Sequence, residues 1–198
     1  MTTESPGRTG ATTQEAGILL VDDMEDNLVA LEAVLGVLQV PLVRARSGEE
    51  AMRALLRQEF ALILLDVVMP GMDGFETAQR IKRCERTQDI PVIFLTGAET
   101  AQDTGYAYRG YATGAVGYLT KPFDPWVLRT KVAVFLDLHR KNRELRQLRE
   151  EERHRLDDFA GRLAAVESHL AAGGTPDTTR LAREVAALAE ALDELRGS

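Results

Sequence analysis

Cysteine is almost absent from this chain: Cys84 is the only one among 198 residues. A single thiol excludes an internal disulfide and any cysteine-built zinc cluster, and it suits a reducing cytoplasm. A basic excess is missing too. With 24 Lys+Arg against 31 Asp+Glu, the formal charge of −7 offers no field that would draw nucleic acid phosphates onto the surface. No apolar run approaches the roughly 18 residues that a membrane helix needs. Residues 1–16 (MTTESPGRTGATTQEA) hold no apolar stretch of the kind found in an export signal. That Thr-, Gly- and Pro-containing opening is expected to stay a flexible tail, on a cytoplasmic protein that binds neither membrane nor nucleic acid. Proline is also missing between Pro125 and Pro176, which permits one helix of exceptional length.

What is present is a hydrophobic content of 44%, enough for a core, and a repeating order of short apolar runs and longer amphipathic ones. Ile18 to Val21 is followed by Glu25 to Leu38, Leu42 to Ala45 by Gly48 to Gln58, and Ala61 to Leu65 by Gly74 to Cys84. Pro91 to Leu95 precedes Glu99 to Ala112, and Val116 to Leu119 precedes a helix opening at Asp124. Five βα units in a row predict an α/β fold with a doubly wound, five-stranded parallel sheet, flavodoxin-like in class. The runs ILLV, ALILL and VIFL are apolar without alternation, as strands covered by helices on both faces should be. Ser47, Asp73 and Asp124 stand where helix N-caps belong, with Pro125 in a first turn.

Beyond Phe123 the pattern changes, and a single helix is expected to run to about Ala172. A heptad fits it, with Phe135, Asn142, Arg149, Leu156, Leu163 and Leu170 at a, and Leu138, Leu145, Glu152, Phe159 and Val166 at d. The seam is apolar at both ends and polar between, and Asn142 at an a position favours a two-stranded, in-register homodimer. Gly173-Gly174-Thr175-Pro176-Asp177 must break that helix. A stripe of Leu181, Val185, Leu188, Leu192 and Leu195 then restarts a shorter one. It could fold back on the first helix or offer a separate surface to a partner. The expected organisation is a tail (1–16), an α/β domain (17–136), a coiled-coil helix (137–172), a turn (173–179) and a short helix (180–198).

In an open parallel sheet, ligands bind beyond the carboxyl ends of the strands. The polar residues there are Asp22 and Asp23, Asp66, Thr96 and Lys121. Three carboxylates converging on one pocket would repel unless a hard cation sat among them, and Mg²⁺ with oxygen ligands suits that arrangement. A carboxylate beside the metal can attack phosphorus. Thr96 and Lys121 could hold phosphoryl oxygens, by hydrogen bond and by charge.

The blocks ILLVDD, LILLDVVMPGMDGFE, PVIFLTG and GAVGYLTKPF, in that order over roughly residues 17–136, resemble the receiver domain of two-component response regulators. The resemblance implies that Asp66 is the phosphoacceptor, fed by a sensor histidine kinase. It also implies that Asp22, Asp23 and Asp66 hold Mg²⁺ with the Val68 carbonyl. Thr96 and Tyr118 resemble the family's switch pair: Thr96 moves toward the phosphoryl group and Tyr118 turns into the space vacated. Lys121-Pro122-Phe123 resembles the family's KPF, whose Lys-Pro bond is usually cis.

Several positions depart from that pattern. Thr96 to Lys121 is longer than usual, and Gly97 replaces the commoner alanine. Val68 and Ala98 stand where polar side chains often direct water onto the acyl phosphate, and neither can orient water by a side-chain hydrogen bond. A long-lived phosphoryl group is therefore expected.

Other classes fit less well. A haloacid-dehalogenase-type phosphatase carries a second acid two residues after its nucleophile, where this chain has Val68. Strand one leads into VDDMEDN rather than the glycine-rich turn of a dinucleotide site. His139, His154 and His169 fall at heptad positions e, f and g, outside the seam, with no ATP-binding segment following. No helix-turn-helix or basic stripe follows residue 136. The expected output is protein contact with an unidentified effector, rather than enzymatic turnover or DNA binding. A phosphorelay intermediate and a constitutive dimeric adaptor remain the alternatives.

Overall fold

A computed structural model describes residues 16–97, 115–171 and 178–196. The expected tail through Glu15, the helix Glu99 to Ala112, the residue Ala98 and most of the turn at 173–179 lie outside the described residues. Two compact units divide between His139 and Arg140.

In the first unit, β1 (Gly17–Val21), α1 (Glu25–Leu35), β2 (Leu42–Ala45), α2 (Gly48–Arg57), β3 (Phe60–Asp66), α3 (Gly74–Arg83), β4 (Val92–Gly97) and β5 (Gly117–Lys121) follow in order. The strands form a five-stranded sheet of order β2-β1-β3-β4-β5, parallel at every pairing. The chain therefore winds both ways from β1, the doubly wound arrangement that the apolar runs predict.

Side chains alternate between two cores across this sheet. Ile63 and Leu65 of β3 join Leu19, Val21, Phe75, Ile81 and Phe94 on one face. Leu62 and Leu64 join Ile18, Leu20, Leu28, Leu31 and Leu35 on the other. All of these are at most 4% exposed, and full burial of each aliphatic side chain is worth about 1.5–3 kcal/mol. Unbroken apolar runs are thus what a sheet with two buried faces requires.

The caps expected from sequence are formed. Ser47 Oγ accepts from the Glu50 amide at 3.2 Å, while Glu50 Oε2 accepts from the Arg46 amide at 2.8 Å. Asp73 Oδ1 accepts from the Glu76 amide at 2.7 Å, and Asp124 Oδ1 from those of Trp126 and Val127 at 2.7 and 3.3 Å. Each occupies amide groups that the first helical turn leaves without partners. Helix α1 ends earlier than its apolar pattern implied, in a 3-10 turn over Gly36–Leu38 closed by left-handed Gln39 at φ 54°.

The long helix α4 spans Pro125–Ala171 and a second helix, α5, spans Thr178–Arg196. The start of α4 belongs to the first unit: Leu128 and Val132 are fully buried, and Phe135 and Leu136 pack against the same cluster. Phe135, expected at the head of the dimer seam, therefore faces the core of the α/β unit. The outward apolar residues nearby are Val134 and Leu138, 61% and 50% exposed. In the second unit α5 returns along α4, since Arg162 Nη1 donates to the Ala187 carbonyl at 3.1 Å. Val166 and Ala191 are buried there. Of the two arrangements open in the sequence, the structure has the folded-back one. No helix among the described residues is long and apolar enough to cross a membrane.

Candidate functional site

Adjacent strands β1 and β3 place the first two acids. Val21 pairs with Leu65, so Asp22 and Asp66, one residue further along each strand, emerge side by side at the carboxyl end of the sheet. Lys121 closes β5 and pairs with Gly97 of β4. Its four-carbon stem brings the ammonium back past β4 to lie 2.7 Å from Asp22 Oδ2 and 2.6 Å from Asp66 Oδ1. Carboxylate oxygens of Asp22, Asp23 and Asp66 all lie within 4.8 Å of one another.

Burial sharpens the electrostatics. Asp22 has no exposed surface and Asp66 is 7% exposed, whereas Asp23 is only partly covered. Burial, reinforced by the charge of Asp22, raises the Asp66 carboxyl above the usual range, against the lowering by Lys121 and the Val68 amide. Burial alone would weaken the proton's hold on Lys121, but Asp22 and Asp66 outweigh it and raise the ammonium. One fixed positive charge thus stands among three carboxyl groups.

Asp22 is the most tightly held of them. Its Oδ1 accepts from the Met24 amide at 3.0 Å. The Asn27 side-chain amide reaches Oδ1 at 2.9 Å and Oδ2 at 3.0 Å. On Asp66, Oδ2 accepts from the Val68 amide at 3.1 Å, while the Val68 side chain is 62% exposed. Thr96, 4% exposed, follows Leu95, the β4 partner of Asp66. Its hydroxyl makes a long 3.4 Å contact to the Gly97 carbonyl. Tyr118 lies two residues lower on the neighbouring strand, opposite Phe94, with the two rings 5.3 Å apart. The Lys121-Pro122 bond is cis.

The structure therefore gathers Asp22, Asp23, Asp66 and Lys121 into one cluster, with Thr96 at the adjacent strand end and Tyr118 set back against the core. Asn27 is the participant that strand-end reasoning misses. Only its place in the first turn after an acidic pair hints at a bond back to that pair.

The donor set fits a hard divalent cation. Every candidate ligand is oxygen, and two of the carboxyl groups are withdrawn from bulk water with only an ammonium between them, a charge that small divalent cations can also supply.

Residues 18–133 match the response regulator receiver domain family. The chain belongs to that family. It is 36% identical over 176 residues to the response regulator PleD of Caulobacter vibrioides, covering 87% of this chain and 37% of PleD. It is 39% identical over 120 residues to a probable cyclic di-GMP phosphodiesterase of Vibrio cholerae, covering 60% of this chain and 26% of that protein. The chain thus spans only 26% to 37% of the length of these curated relatives. Among solved structures, the Vibrio cholerae chemotaxis protein CheY4 superimposes with a TM-score of 0.56 at 28% identity, covering 61% of this chain and 98% of its own.

Proposed function

We propose that this chain is a phosphorylation switch in which Asp66 accepts a phosphoryl group from a sensor histidine kinase and the arm beyond the receiver carries the signal to a protein partner. The observation that carries this reading is the cluster of Asp22, Asp23, Asp66 and Lys121 at the strand ends, inside the span matching the receiver family.

Asp22, Asp23, Asp66 and the Val68 main-chain carbonyl would hold Mg²⁺, which when bound supplies positive charge against the phosphoryl oxygens. The Asp66 carboxylate forms the new O–P bond while the donor's bond to phosphorus breaks, and the donor leaves with that electron pair. Lys121, already 2.6 Å from Asp66, gives its charge to the transferred oxygens, and the Thr96 hydroxyl gives a hydrogen bond. Thr96 moves toward the phosphoryl group as Tyr118 turns inward behind it. With Val68 unable to orient a water through its side chain, the acyl phosphate is long-lived. Output is protein contact, without DNA binding and without turnover by the receiver itself. A homodimer forms through the outward apolar residues of the arm, among them Leu138, Leu145, Leu156, Leu163 and Leu170.

Intact-mass measurement after incubation with acetyl phosphate and Mg²⁺ tests the site, with wild type beside Asp66→Ala. A single phosphoryl adduct is expected on the wild type alone, persisting well beyond seconds at neutral pH. An adduct on both proteins, or on neither with the fold intact, would refute the assignment.

A further inference from the structure

Asn27 occupies the third position of α1, and its side chain points back at the acidic cluster instead of into solvent. One nitrogen, Nδ2, lies 2.9 Å from Asp22 Oδ1 and 3.0 Å from Oδ2. A donor equidistant from both carboxylate oxygens lies near the plane of the group and opposes its rotation. The Met24 amide on Oδ1 and the Lys121 ammonium on Oδ2 fix which oxygen faces which way. Oδ2 thereby shares the Lys121 ammonium with Asp66 Oδ1, the side from which a cation shared by the two carboxylates would be bound.

The residue type matters as much as the position. A lysine or arginine here could orient Asp22 equally well, but its charge would compete with any cation for the three carboxyl groups. A neutral amide orients without neutralising. Asn is also a mediocre helix former, typically several tenths of a kcal/mol worse than Ala, so local helix stability does not explain its presence at this site.

We propose that Asn27 is a positioning residue for the divalent cation, holding the fully buried Asp22 carboxylate with Oδ2 presented to the metal shared with Asp66. This rests on the Mg²⁺ reading above. Outer hydrogen-bonding partners of metal ligands commonly change affinity by about 10–100-fold. Removal of this one is expected to weaken Mg²⁺ binding by roughly tenfold.

The test is titration calorimetry of the full chain with MgCl₂, without phosphodonor, for wild type, Asn27→Ala and Asn27→Gln, alongside metal-free thermal unfolding. The expected result is a Kd raised roughly tenfold in the alanine variant and less in the glutamine variant, which keeps the amide one methylene further out. Equal Kd values in wild type and Asn27→Ala would overturn the role of Asn27 while leaving the metal site standing. An absence of Mg²⁺ binding by the wild type would instead remove the metal reading and this inference with it. Should Asn27→Ala fail to fold, Asn27→Gln decides: an unchanged Kd with the amide displaced rejects the proposal, and a raised one supports it.

Discussion

At Gly74 a Cβ atom would lie 2.2 Å from the Asp66 carbonyl oxygen and 2.9 Å from Val67 Cα. The close approach is built in, because the Gly74 amide donates to the Val67 carbonyl at 3.0 Å, which draws the start of α3 onto the strand bearing Asp66. Both clashing atoms are backbone, so neither can swing aside, and Gly74→Ala must shift α3 or the strand end. Overpacking of this kind costs typically about 1–3 kcal/mol. We expect a lower midpoint in thermal unfolding and slower adduct formation from acetyl phosphate, as the Asp66 backbone is displaced. Gly161 is the matched control: nothing lies within 4 Å of a Cβ there, and in a helix interior Gly161→Ala should stabilise by roughly 0.5–1 kcal/mol. The acids and Lys121 were legible in the sequence because each follows an apolar run in a parallel sheet. Asn27 and Gly74 were less so, since helical periodicity locates a residue along the chain but not the direction in which a first turn faces the strand before it.

Among the elements, α4 shows how a correct helix can hide a change of role. The absence of proline after Pro125 made the whole helix readable, and it runs from Pro125 to Ala171. A single heptad laid over it put Phe135 in the same seam as Leu156, yet Phe135 packs with Leu128 and Val132 against the receiver core. Spacings of four and three make that inner stripe as regular as the outer one, and sequence alone does not tell which of two apolar rows meets the sheet. Strand ends were blurred for a related reason. Apolar composition stops at Leu65, Leu95 and Leu119, but ladder pairing continues through Asp66 with Leu95 and through Gly97 with Lys121, so the site residues are held by the sheet itself. Two expectations follow for α4. A chain ending at His139 retains Leu128, Val132 and Phe135 and should fold and accept a phosphoryl group. Leu128→Ala, at a position with no exposed surface, should cost about 2–5 kcal/mol through transfer and cavity losses, read as a reduced urea midpoint.

On the scale of the whole molecule, the arm beyond His139 exposes more apolar surface than a solvated hairpin should. Leu145, Leu156, Leu163 and Leu170 on α4 are 53%, 51%, 39% and 61% exposed, and Val185 and Leu192 on α5 are 48% and 42% exposed. At 100° per residue, Leu156, Leu163 and Leu170 lie about 40–80° around α4 from buried Val166, and Val185 and Leu192 about 100–120° around α5 from buried Ala191. Both offsets turn in the same sense. In two antiparallel helices that places the two rows on one side of the hairpin, forming a single apolar face that α4 and α5 do not bury between themselves. A second copy presenting the same face would cover it, giving four helices around one core. A two-stranded, in-register pairing of α4 is the alternative, and it needs Val166, buried within this hairpin, in its own seam. Sedimentation velocity discriminates these arrangements. The full chain is expected to be dimeric at micromolar concentration and the chain ending at His139 monomeric. Leu163→Arg and Val185→Arg should each drive the full chain to monomer, since a charge on either row would be buried in the shared face. If Leu163→Arg dissociates the dimer while Val185→Arg leaves it intact, α5 lies outside the interface and the two-stranded pairing is the correct one.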